Sequence, residues 1–130
     1  MITLKEVYLL QEREDLLFVA SELVKHYRLK SKVKFGTYGG DQGGYNWDTD
    51  TIMLNKYYPK VSEFIITVLH EIHHALQIQK YGRNKFMKKY QQASNMADLD
   101  GKDRYLANKW EKKAENWAQQ EYRRKWKNKF

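Results

Sequence analysis

At 130 residues the chain is the size of one domain, large enough for a core without covalent staples. It has no cysteine, which excludes a disulfide framework, a thiolate metal site and a cysteine nucleophile, and it leaves histidine and carboxylate as the metal donors. The net charge is +8, and Met1–Val7 lacks a basic stretch followed by an apolar one. Charges also interrupt every long apolar run, which predicts a soluble, cytoplasmic protein with no membrane partner.

From Leu9 to Tyr27, apolar residues recur at Leu9, Leu16, Leu17, Ala20, Leu23, Val24 and Tyr27, a helical rhythm. His26, near the end of that helix between Lys25 and Tyr27, reads as a helix-end residue and not as a ligand. Two strand-like runs follow, residues 32–38 and 51–55, with Tyr45-Asn46-Trp47 between them. Turns are expected at Gly39-Gly40, at Gly43-Gly44 and at Asp48-Thr49-Asp50, giving a small, mostly antiparallel sheet. The glycines lack both phosphate-binding spacings, G-x-x-x-x-G-K-S/T and G-x-G-x-x-G.

Pro59 and Ser62 introduce a helix from about Val61 to Tyr81, closed by Gly82. Within it, His70-Glu71-Ile72-His73-His74 reads H-E-x-x-H. Residues i and i+4 lie on one helix face, so His70 and His74 can reach one metal, while Glu71, about 100° further round, can approach a water without being a ligand. With four His in the chain, chance produces this pattern in roughly one such chain per hundred. Val61, Phe64, Ile65, Val68, Ile72 and Leu76 form an apolar arc, while Glu63, Thr67, His70, His74 and Gln77 lie opposite, facing a cleft or other helices. His73 lies off the His70/His74 axis, a residue supporting the site from behind or sitting at the surface.

A polar helix is predicted over residues 84–97 and a loop over 98–103, whose aspartates do not follow the calcium-loop pattern. The last helix, Arg104 to Trp126, carries an apolar stripe of Leu106, Trp110, Ala114, Trp117 and Ala118. Beside the stripe lie Glu111, Glu115 and Tyr122. A catalytic zinc site takes three protein ligands. Gln77 and Lys80 stand where a metzincin has Gly and His, so the third ligand must come from further along the chain. Glu111 can supply it, with Glu115 one turn on holding a ligand histidine N–H, although a surface pair facing Lys and Arg is the other reading.

The order Ile52-Met53-Leu54-Asn55, His70-Glu71-Ile72-His73-His74-Ala75-Leu76, then Trp110-Glu111-Lys112-Lys113-Ala114-Glu115-Asn116-Trp117-Ala118 resembles the small gluzincin-type metallopeptidases, closest to the ImmA/IrrE-like group. The resemblance covers roughly residues 44–118. Trp117 replaces the usual Phe, and a basic tail stands where the family has an apolar-Met-Pro ending. It implies a minimal α+β zincin-like domain over residues 1–130, with His70, His74 and Glu111 on zinc and Glu71 as general base. Glu115 and His73 would support the ligands.

The expected function is therefore hydrolysis of a peptide or protein substrate by a metal-activated water, on a restricted target. The strand at Thr51–Asn55 would pair as an edge strand with the peptide, and Tyr105 or Tyr122 would donate to the oxyanion. The alternative is a catalytically weak binding module. Its basic C-terminal end, about residues 119–130, would contact DNA or an acidic protein. A zinc hydrolase acting on another bond shares the same motif. Richness in Tyr, Lys and Asn suggests a phage or mobile-element gene.

Overall fold

The computed structural model describes residues 13–36 and 43–130. The chain forms helix α1 (Arg13–His26), strands β1 (Lys32–Gly36), β2 (Gly43–Asn46) and β3 (Thr51–Asn55), and helices α2 (Val61–Tyr81), α3 (Arg83–Leu99) and α4 (Lys109–Glu121). A π-helical turn, Tyr122–Trp126, ends it. The class is α+β, as expected, and among the described residues no helix is long and apolar enough to cross a membrane.

Helix α1 buries Leu16, Ala20, Leu23 and Val24, the spacing its sequence announces, while Leu17 turns outward. Leu9, the first residue of the predicted run, and the Gly39-Gly40 turn lie outside the described residues. Exposed His26 sits edge-on against Trp126, with ring centres 5.0 Å apart, consistent with a helix-end role.

The sheet has three strands in the order β1-β3-β2. It is not mostly antiparallel: β2 pairs antiparallel with β3, but β1 pairs parallel, from Lys32 opposite Thr51 to Gly36 opposite Asn55. Alternation along a strand is the same for either direction of pairing, so the sequence carried no signal for it. β3 is also not an edge. Its Ile52 and Leu54 are fully buried, and the most apolar strand takes the middle, which leaves β1 and β2 as the outer strands among the described residues, with β2 beside α2.

Helix α2 occupies the predicted bounds and is the spine of the molecule. Phe64, Ile65, Val68, Leu69 and Ile72 enter a core with α1, β3, Tyr58 and Ala118. Gly82, at φ 82°, caps its end with an N–H to the Ile78 carbonyl and turns the chain into α3. A second, smaller core joins Phe86 and Ala93 of α3 to Trp110 of α4, with Trp47, Ile78, Tyr81 and Tyr90 against it.

Helix α4 begins at Lys109 and not at Arg104. Asn108 stops the helix from extending backward: its side chain accepts from Trp110 N–H (2.8 Å) and donates to the Tyr90 carbonyl (3.1 Å) and Ser94 Oγ (2.9 Å). Residues 104–107 are consequently a turn, and Leu106, counted in the apolar stripe, is 71% exposed.

Gly43 joins the sheet to α2 by close approach, because a Cβ there would stand 2.9 Å from both the Met53 carbonyl oxygen and Thr67 Cγ2. Gly43→Ala is expected to cost about 1–3 kcal/mol, by overpacking β2 against α2. Urea unfolding of the two proteins measures it, and an unchanged midpoint would show that β2 is free to move away.

Candidate metal centre

The centre lies between the two cores, where α2 meets α4. His70 and His74, one turn apart on α2, have ring centres 5.0 Å apart. Their Nε2 atoms converge on a single carboxylate oxygen, Glu111 Oε1, at 2.9 Å and 2.8 Å. Glu111 stands in the first turn of α4, placed by the Asn108 cap, and a carboxylate there is also favoured by the helix dipole. His70, His74, Glu71 and Glu111 are all buried.

The other ring nitrogens are held as well. His70 Nδ1 lies 2.8 Å from Glu115 Oε2, and His74 Nδ1 lies 2.9 Å from Gln77 Oε1. The Gln77 amide is oriented by its own donation to the Trp110 carbonyl. The second oxygen of Glu111 accepts from the Tyr90 hydroxyl. The Tyr90 ring is seated edge-on against Trp47 at 5.3 Å and tilted against Phe86 at 6.1 Å.

All four imidazole nitrogens therefore face acceptor oxygens. Without a metal, protons would have to lie in these contacts, and rings protonated on both nitrogens would place positive charge on neighbouring buried side chains. A divalent cation held by His70, His74 and Glu111 would supply positive charge in their place. Each ring would then be neutral, with Nδ1–H donating to Glu115 or Gln77. The residues present thus fit a zinc ion by donor type and charge. The electrostatics agree: burial disfavours a charged His70, but hydrogen bonds with Glu111 and Glu115 and the charge of Glu71 outweigh it and push its pKa up to about 10. Burial alone would raise Glu111, yet hydrogen bonds with His70, His74 and Tyr90 hold it well below the usual carboxylate range.

Glu71 differs from Glu111 in position. Its Oε1 lies 4.0 Å from His70 Nε2, beside the centre and not bridging the histidines. His70, Glu71 and His74 by themselves form a compact group able to hold a metal. Glu111 also reaches the pair, with one oxygen within hydrogen-bond distance of both ring nitrogens.

A cleft of about 900 Å³ opens over these residues. Its lining includes Gly43 and Gly44 of β2, and Tyr105 and Leu106 of the turn before α4. Of the two candidate oxyanion donors, Tyr105 lines the cleft and is half exposed, whereas Tyr122 packs against the main core and does not line it. Helical periodicity had placed Tyr122 with the glutamates, but the turn after Glu121 is π-helical and its ring packs against the main core. His73 does not support a ligand. Its ring lies 4.9 Å from Trp117, and its Nδ1 is buried without a hydrogen-bond partner. Burial, with the charges of His74 and His70, pushes His73 down to about 4.

Two residues of the centre were not assigned roles from the sequence. Gln77 is three residues after His74 on the same face, so its spacing contained the signal. Tyr90 comes from a polar helix with no motif, and only the packing of α3 on α4 brings it in. The cations at the chain end, Arg123, Arg124, Lys127 and Lys129, are exposed and none lines the cleft, while Lys125 pairs with Glu121 at 3.2 Å.

No family model, no curated protein and no solved structure matches the chain.

Proposed function

We propose that the protein is a zinc-dependent peptidase of the small gluzincin type, with a zincin-like arrangement of sheet and H-E-x-x-H helix. The observation that carries this is the convergence of His70 Nε2 and His74 Nε2 on Glu111 Oε1, with both Nδ1 atoms already held by acceptors. The resemblance of the two motifs to the ImmA/IrrE-like group points the same way.

A zinc ion bound there would acidify water and polarise a scissile carbonyl. The chain's own residues do the rest. Glu71 takes a proton from the attacking water at its carboxylate and returns it to the leaving nitrogen. Glu115 and Gln77 fix the ring orientation of His70 and His74, and Tyr90 holds the outer oxygen of Glu111, so that this residue presents a single donor atom. The substrate lies along β2, an outer strand among the described residues, whose edge offers backbone groups to an extended peptide; this replaces β3, which has a strand on each side. Tyr105, which lines the cleft, offers its hydroxyl to the substrate.

Elemental analysis after dialysis should find about one zinc per chain, and far less in Glu111→Ala. Zinc retained by Glu111→Ala would remove that residue from the ligand set. Glu71→Gln should keep its zinc while losing peptide hydrolysis by at least about a hundredfold. A mutant cutting as fast as wild type would exclude Glu71 as the base.

Tyr90→Phe and Glu115→Gln each leave the three ligands in place, and each should weaken zinc binding about 10- to 100-fold. Competition with a zinc-binding dye measures this. Wild-type affinity in both would mean that these hydrogen bonds do not orient the ligands.

A further inference from the structure

The charges lining the cleft run against those of the whole chain. Lys and Arg outnumber Asp and Glu by 24 to 16. The cleft nevertheless carries the carboxylates of Glu63, Glu71, Asp103, Glu111 and Glu115, and among the described residues no Lys or Arg lines it. Lys112 lines an adjoining hollow beyond Tyr105 and Leu106. Three of the five carboxylates are engaged with the histidines or stand beside them. Glu63 and Asp103 have no task in that centre.

Glu63 lies in the first turn of α2 and is half-buried, seven residues before His70. That is two helical turns, about 10 Å along the axis, and roughly the length of three residues of an extended peptide. Asp103 is on the loop before α4. Its Oδ1 accepts from the N–H groups of Tyr105 (2.9 Å) and Leu106 (2.8 Å), which fixes the carboxylate at the cleft wall. Gly43 and Gly44, on the outer strand β2, put no side chain in the way of a peptide backbone.

We propose that this cleft selects peptides carrying Lys or Arg within about three residues of the cut bond, with Glu63 and Asp103 as the selecting carboxylates. The proposal rests on the peptidase reading and supplies its substrate class. It also has a built-in control, because a net charge of +8 attracts acidic peptides at long range. A preference for cationic ones has to come from the cleft.

The test has two arms. The zinc-loaded full chain is incubated with a mixture of synthetic decapeptides of varied sequence, and the cut sites are mapped by mass spectrometry. Lys and Arg should be enriched near the cut about tenfold over Asp and Glu, the double variant Glu63→Gln with Asp103→Asn should lose most of that enrichment, and Glu63→Lys should shift it toward acidic residues. In the second arm, zinc-loaded Glu71→Gln binds fluorescent octapeptides that differ only by Lys or Glu at their central positions, read by anisotropy at low and moderate salt.

Cutting without charge preference, cutting near acidic residues, or a preference untouched by the double variant would overturn the selectivity and leave the peptidase reading intact. No cutting of any peptide, together with tighter binding of the Lys peptide that the double variant abolishes, would overturn the peptidase reading and sustain the acidic cleft as a site for cationic chains. Equal binding of both peptides without cutting would overturn both.

Discussion

Two adjacent histidine rings on α2 have every nitrogen turned toward an acceptor, and that constraint organises the molecule. Such a pair is unfavourable in a buried setting unless something supplies positive charge between the rings and negative charge around them. Glu111, Glu115, Gln77 and Tyr90 provide the surroundings, and they come from three helices. The packing of α3 and α4 on α2 is therefore tied to the chemistry at their junction. Separating the helices would leave buried imidazoles and carboxylates without partners, and losing the partners would weaken the reason for the helices to meet.

The two hydrophobic cores serve this junction from either side. The larger one anchors α2 to the sheet and α1 through Phe64, Ile65, Val68 and Ile72, which fixes the rotation of the helix and hence the outward direction of His70 and His74. The smaller, with Phe86 and Trp110 in edge-to-face contact at 5.5 Å, sets α3 against α4 and seats Tyr90 and Glu111. Asn108 links them, since its fully buried side chain ends the preceding turn, starts α4 and ties it to α3. A hydrogen-bonded amide in that position defines which residue of α4 reaches the histidines more sharply than apolar contact would.

The cleft follows from the same arrangement. β3 is central because Ile52 and Leu54 are the strand residues with most to gain from burial on both sides, and β2, half glycine, is left at the edge. That strand and the acidic residues of a basic chain line one cleft over the histidines and Glu111. The exposed cations of the final turns belong to a different face. Trp126 holds that end to α1 by donating to the Tyr27 hydroxyl, which in turn donates to Glu121.

The sequence by itself determined the α2 helix and its approximate bounds, its apolar arc, the His70/His74 face with Glu71 beside it, and the pairing of Glu111 with Glu115 on a second helix. All of these are consequences of the 3.6-residue period, which is local and needs no partner to be read. Tertiary structure alone decided the direction of β1, the central place of β3, the start of α4 at Asn108, the removal of His73 and Tyr122 from the centre and the arrival of Tyr90. Each of these depends on which surfaces compete for the same space, and such competition between segments distant in the chain leaves no period in the sequence.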